Sequence, residues 1–188
     1  MADITVEVGT QISLAAHAGS AFAPFSGSNL EIGTPTQYEL NAASVADDAA
    51  VESAKFDLGA QRAPRYSIMS TMGWGSAPTT GERVDYYIGW SPTSSAALAN
   101  PGGLIGSSSG YTGGPNLTLD EGLAQLDFVG SMVVGAYAGN QTSTIGTMVP
   151  KERYGTLVIV NRSGQSLTGS LADAHTVLTP IIDDVSTS

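Results

Sequence analysis

The chain contains no cysteine, which excludes disulfide bonds, thiolate metal ligands and a cysteine nucleophile. Basic residues are also scarce, because 7 Lys and Arg stand against 17 Asp and Glu and no base precedes Lys55. Nucleic acids and anionic membrane surfaces bind clustered positive charge, so we expect neither of them as a partner. No stretch approaches the roughly 18 uninterrupted apolar residues that a membrane-spanning helix requires.

Charge of either sign is low, at 13% of residues, whereas soluble domains usually carry about 25%. Ala, Gly, Ser and Thr fill the difference and give a polar but weakly charged surface. Apolar residues make up 41% of the chain, which is enough to build a core. Such a surface is typical of a protein that neighbouring subunits cover, and it is also compatible with a free-standing secreted domain.

Alternation of apolar and polar residues is the main structural signal, and it predicts strands. The clearest case is Val84, Tyr86, Ile88 and Trp90, which we place on one buried face. The run 157–160 is apolar at every position, so it predicts a central strand covered on both faces. Strands separated by Gly, Pro and Ser turns predict an all-β, antiparallel β-sandwich that is jelly-roll-like.

Three further segments carry local predictions. Leu126, Phe128 and Met132 have the spacing of one strand face. The last strand is predicted over residues 176–182, at a sheet edge because Pro180 lacks an N–H. A short helix is predicted over residues 119–126, where acidic residues favour its N-terminus.

Two regions stand apart from these strands. Residues 1–45 predict an extended N-terminal arm, and residues 46–188 the sandwich domain. The arm carries apolar side chains that it cannot bury alone, so we expect them to contact a capsid shell or a neighbouring subunit: Ile12, Leu14, Phe22 and Phe25. Residues 91–116 predict a long Gly-, Ser- and Pro-rich loop, and we expect that shortening it between Ala96 and Gly114 leaves folding intact because loop closure depends weakly on length.

No motif for chemistry emerges from the sequence. His175 lies in no catalytic pattern and no Gly-x-Ser-x-Gly elbow occurs, so we expect no enzyme activity. Adjacent acids such as Asp47 and Asp48 point to opposite faces of a strand and do not converge on a metal. We therefore predict no catalytic residue, no cofactor and no metal ligand, with a calcium ion held by loop carbonyls as the alternative.

Two aromatic residues lie in loop-like contexts, Trp74 between glycines and Tyr111 in the glycine-rich loop. Aromatic rings exposed on a β-sandwich can stack on sugar rings. Packing within the protein is the other interpretation of both residues. They are the candidate ligand contacts of a glycan-binding module.

A family resemblance comes from several segments that follow one another in a characteristic order: Val84–Pro92, Asn100–Leu104, Gln125–Ser131, Val149–Gly155, Val160–Gln165 and His175–Val185. Over about residues 84–185 the chain resembles small virion structural proteins of tailed bacteriophages. The resemblance implies a β-sandwich that decorates or cements the capsid, or that forms part of a head or tail fibre.

Sequence and resemblance together predict a capsid decoration or cement protein that binds the head shell. Its expected partners are the major capsid protein and copies of itself, with trimers favoured by the three-fold positions of capsids. Assembly in the host cytoplasm and a place on the capsid exterior follow from this function, and the absence of cysteine suits that compartment. The alternative is a glycan-binding module of a fibre or of a cell surface.

Overall fold

The computed structural model describes residues 9–18, 21–22, 30–170 and 173–181. Strands dominate this part of the chain, in two sheets that pack face to face, and the predicted all-β sandwich is confirmed. The strands are β1 (Ile12–Ala15), β2 (His17–Ala18), β3 (Ala21–Phe22), β4 (Thr36–Glu39), β5 (Ala49–Glu52), β6 (Phe56–Asp57), β7 (Arg65–Trp74), β8 (Arg83–Ser91), β9 (Ser109–Tyr111), β10 (Asp127–Val133), β11 (Gly139–Met148), β12 (Tyr154–Arg162) and β13 (Ala174–Ile181).

The helical content is small and lies where the sequence predicted it. Helix α1 spans Leu119–Leu123. Its first turn is closed by a capping box, in which the Thr118 side chain and the Glu121 side chain each accept from the other residue's backbone N–H. A single 3-10 turn covers Pro101–Gly103 in the loop that precedes β9.

The strand order is that of a jelly roll. Sheet I runs β11-β7-β13-β1-β4, and sheet II runs β10-β8-β12-β5-β9, with β6 also paired to β12. The short strands β2 and β3 pair only with each other. Without the short edge strands β4 and β9, the pairing is nested: β1 pairs with β13, β5 with β12, β7 with β11 and β8 with β10. This is one long antiparallel ribbon folded over itself, which is the winding of a jelly roll.

Strand β12 crosses the middle of sheet II and is buried on both faces, as its sequence predicted. Leu157 and Ile159 point into the main core between the sheets. Val158 and Val160 point to the other face, where Leu104 of the long loop covers them. The apolar run is therefore explained by two separate clusters.

A β-bulge changes the face that β10 presents. The register with β8 shifts between Phe128 and Gly130. Residues an even number of positions apart normally share a face of a strand, but across this bulge they point to opposite faces. Met132 is buried in the core, whereas Phe128 is 58% exposed and packs edge-on against Tyr87 outside the sandwich. The prediction that Phe128 and Met132 share a face is wrong for this reason.

The two sheets approach each other closely at this bulge. A Cβ atom at Gly130 would collide with the carbonyl oxygen of Ile145 in β11. Because that obstacle is backbone and cannot rotate away, only glycine allows β10 and β11 to pack here. Strand β11 has its own bulge between Thr144 and Gly146, at the same level.

The N-terminal region contributes strands to sheet I, which corrects the prediction of an arm over residues 1–45. Strand β1 lies between β13 and β4, with Ile12 opposite Leu178. Ile12 and Leu14 are fully buried in the core of their own chain and are not available to a capsid or a neighbour. Strands of four residues give too short an alternation to be recognised in the sequence.

Strand β13 is central rather than peripheral, which corrects the prediction made from Pro180. It lies between β7 and β1 in sheet I. The pairing with β1 ends at Leu178, so Pro180 faces a strand only on the β7 side, opposite Tyr66. Proline is tolerated there because the neighbouring strand has already ended.

Candidate functional site

The long loop is a packed cover over sheet II and not a free connection. Lys55 lies between β5 and β6 and extends into the loop, where its ammonium donates to the Ser91 hydroxyl at 3.0 Å. It also donates to the carbonyls of Thr93, Ser95 and Leu98 at 3.3, 2.7 and 3.0 Å. Burial lowers the pKa of Lys55. The Lys55 ammonium thus holds the first part of the loop in place through these hydrogen bonds.

A buried carboxylate holds the second part of the same loop. Glu52 accepts from the backbone N–H groups of Ile105 and Gly106 at 3.0 and 3.2 Å. The Ser109 hydroxyl adds a third contact at 3.4 Å. Burial raises the pKa of Glu52, and these donors oppose the rise. The loop 91–116 is thereby fixed to β5 by Glu52 and to the residues after β5 by Lys55, which argues against the expectation that it can be shortened freely.

Trp74 and Tyr111 are packing residues in this structure. Trp74 is 2% exposed and donates its indole N–H to the Ser163 hydroxyl at 2.9 Å. Tyr111 is 3% exposed and donates to the Gly102 carbonyl at 2.6 Å. Burial, with the nearby Glu52 carboxylate, raises the pKa of Tyr111 to about 12. Neither ring presents a face to a ligand, so their assignment as sugar contacts is corrected.

Phe22 and Phe25, the other two residues predicted to contact a capsid shell or a neighbouring subunit, give no support to that contact. The backbone of Phe22 belongs to β3, which pairs with β2. Phe25 lies outside the described residues. Of the side chains assigned to a subunit contact, those that the structure describes are Ile12 and Leu14, and both are buried.

A buried polar cluster connects β1 and β13 on the outer side of sheet I. Ser13 donates its hydroxyl proton to Glu31 at 2.6 Å, and the same oxygen lies 2.9 Å from Nε2 of His175. The Ser13 hydroxyl hydrogen therefore points at the Glu31 carboxylate, whereas in a catalytic serine it would point at the histidine. Ser13 is 1% exposed, so its hydroxyl has no access to a substrate. We interpret this cluster as structural.

This cluster predicts a loss of stability in mild acid. Burial lowers the pKa of His175 below 6.5, and the Glu31 charge only partly opposes this. As the pH falls below 6.5, the unfolded chain binds the proton first, so the free energy of unfolding falls until the folded-state pKa is reached. The slope contributed by one such group is at most about 1.4 kcal/mol per pH unit. Urea unfolding at pH 7.5 and 5.5 measures it.

His175→Gln is the matched variant for this experiment, because glutamine keeps a hydrogen-bonding side chain that does not titrate. We expect the variant to lose less stability than the wild type between the two pH values. An equal loss in both proteins would show that other groups cause the pH dependence.

An open groove of about 340 Å³ lies where β8 and β10 meet the end of β11. Its floor is apolar, with Ile88 and Met148, and its rim carries Phe128 and Val149, which are 58% and 65% exposed. Trp90 lines the groove as well and is only half-buried. Trp90 also packs against the main core, as its phase with Val84, Tyr86 and Ile88 predicts, and its ring lies edge-on to buried Phe56.

One carboxylate organises the polar end of the groove. Asp127 accepts from the Trp90 indole N–H at 2.8 Å and from the Lys151 ammonium at 2.6 Å. The ion pair is exposed, so it contributes little to stability. It leaves this end of the groove with no net charge.

The groove borders a long segment of the chain that carries no charged residue. The segment 128–150 contains no Asp, Glu, Lys or Arg, although the chain carries a net charge of −10. It includes most of β10 and all of β11, and we call it the neutral edge. Most of the exposed large apolar side chains of the described residues lie on it: Phe128, Val133, Tyr137 and Val149.

No protein family, curated protein or solved structure matches this chain. Within the described ranges, no group of three or more His, Asp or Glu side chains is arranged to hold a metal ion. Of the helices in the same part of the chain, none has the length and apolar character to cross a membrane. The neutral edge with its groove is therefore the candidate functional site on geometric grounds.

The sequence contained a signal for this site, since the uncharged run ends in Asp127 on one side and Lys151 on the other. Its apolar residues do not look exposed, however, because the bulge that turns Phe128 outward is not visible in the alternation. The phase of Trp90 with Ile88 predicts its packing against the core but not the part of its ring that lines the groove. Only the three-dimensional arrangement shows that β8 ends beside a groove.

Proposed function

We propose that this protein is a structural component of a tailed-bacteriophage virion, a decoration or cement protein that binds the outside of the head shell. The observation that carries the proposal is the groove on the neutral edge, where exposed Phe128 and Val149 flank an apolar floor. Exposed apolar surface of this kind marks contact with another protein. An apolar side chain of the shell protein is the proposed occupant.

Two further observations support an assembly role. The sequence between residues 84 and 185 resembles phage virion proteins, and this range includes the whole neutral edge. The loop cover is held to the sandwich by hydrogen bonds of Lys55 and Glu52, and a loop that is already fixed loses little conformational entropy when the protein binds a partner.

The experiment is co-sedimentation of the purified protein with heads that lack it. We expect the wild type to bind, and we expect Phe128→Asp and Val149→Asp to weaken binding at least tenfold, because a carboxylate would be buried against an apolar partner. Leu98→Asp is the matched control, since Leu98 is 60% exposed and lies outside the neutral edge.

Absence of binding by the wild type would refute the decoration function. Wild-type binding that resists both groove substitutions would place the contact elsewhere on the surface. Equal weakening by the Leu98 control would show that added negative charge, and not the groove, determines the affinity.

The groove also favours a second candidate function, a glycan-binding module. Trp90 and Phe128 offer aromatic surface, and Asp127 and Lys151 offer polar groups beside it, which is the combination that binds sugars. Binding of the isolated protein to a glycan array, lost in Phe128→Ala, would support this function over the first.

A further inference from the structure

Strand β11 has one open side. It pairs with β7 on the other side and stands at the end of sheet I. Near its bulge the backbone of β10 packs against it, because a Cβ atom at Gly146 would lie 2.8 Å from the carbonyl oxygen of Val129. Before the bulge, over residues 139–144, β11 has no second strand partner among the described residues. The open stretch is therefore this first half of the strand.

This open stretch lacks the protection that natural edge strands carry. Exposed edges are usually blocked by a charge, a proline, a bulge or a short length, since a bare edge pairs with other chains. Residues 139–144 contain neither a charge nor a proline. The opposite edge of sheet I is only four residues long and carries Glu39, and the edge strand β9 has three residues.

We propose that β11 pairs with β11 of a second copy of this chain, antiparallel and about a two-fold axis. Two copies with a net charge of −10 each repel one another wherever their acids meet. The uncharged stretch 139–144 lowers that cost, and the acid next to it, Asp173, accepts a hydrogen bond from the Asn140 side chain at 3.3 Å. An antiparallel strand pair is self-complementary, so one surface supplies both halves of the contact.

The turn before β11 is fixed in a position that suits this contact. Gln141 accepts from the Gly135 N–H at 2.8 Å and donates to the Tyr137 carbonyl at 3.1 Å. Tyr137 is 54% exposed and Val133, at the end of β10, is 67% exposed. Pairing through residues 139–144 joins the two copies of sheet I into one continuous sheet and brings these side chains to the interface.

This interface rests on the proposed function only in that both assume a protein that assembles with others. It uses residues 139–144 of the neutral edge and not the groove. Light scattering after size-exclusion chromatography of the full chain, without heads, tests it separately. We expect a mass of twice 19.2 kDa at high protein concentration. Thr144→Asp and Tyr137→Asp should each raise the dimer dissociation constant at least tenfold.

Thr36→Asp is the matched control, because it makes the same change at an exposed position on the opposite edge of sheet I. It should leave the dimer intact, and circular dichroism establishes that all variants are folded. A monomer at every concentration, a trimer, or a dimer that resists both substitutions would each overturn the proposal. Head binding by a monomer would leave the decoration function standing while refuting this interface.

Discussion

Val158→Asp is expected to abolish soluble folding. Val158 is fully buried in β12, on the face of sheet II that the long loop covers. A carboxylate at this position has no partner, and burying an unpaired charge costs several kcal/mol, comparable to the whole stability of a domain. Soluble yield and the far-UV circular dichroism spectrum measure the outcome.

Val149→Asp is the matched control, with the same substitution at a position that is 65% exposed and follows the end of β11. Its free energy of unfolding should change by less than about 0.5 kcal/mol, as for other surface substitutions. A soluble Val158→Asp protein with a near-native melting temperature would show that the loop does not cover this strand.

Replacement of residues 97–113 by a short glycine linker is expected to unfold the protein or to make it insoluble. The change removes Leu104 and Tyr111 from the cluster on Val158 and takes away the N–H donors of Glu52. Loss of one large buried side chain costs about 2–5 kcal/mol, and a buried carboxylate without donors costs a similar amount. The sum is of the order of the total stability.

Insertion of a few Gly and Ser residues between Gln61 and Arg62 is the control, since both lie in an exposed connection. Loop closure depends weakly on length, so this insertion should cost well under 1 kcal/mol. Thermal unfolding of the two proteins separates loss of packing from change of loop length. A folded protein with the loop replaced would show that its contacts contribute little.

The sequence predicted strands best where a pattern of apolar residues was long and every residue of one face had the same kind of neighbours. Strand β8 alternates over nine residues, and β12 is apolar on both faces, so their identities were readable. Strand β1 was not, because four residues give little pattern and its partners β13 and β4 are distant in sequence. Its burial is a tertiary property that composition does not encode.

The glycine content of the long loop led to the wrong prediction that it is a free connection. A Gly- and Ser-rich segment is typical of a flexible connection, but here glycines allow backbones to touch. Gly103 has φ of 77°, and a Cβ atom there would collide with the Gly113 carbonyl oxygen. The charges that hold the loop, Lys55 and Glu52, lie outside it, so the loop sequence alone gives no sign of its attachment.

The nesting of the strands has a consequence for the time at which the protein can fold. The first strand of sheet I pairs with the last, so β1 has no β13 to pair with until the ribosome has added residues as far as Leu178, the partner of Ile12. Until then β7 and β1 have no strand between them, and the uncharged strand β11 is already made. Folds with such distant pairings form in milliseconds to seconds. During translation, unfinished chains therefore expose a strand that is free of repelling charge, and their mutual association competes with folding.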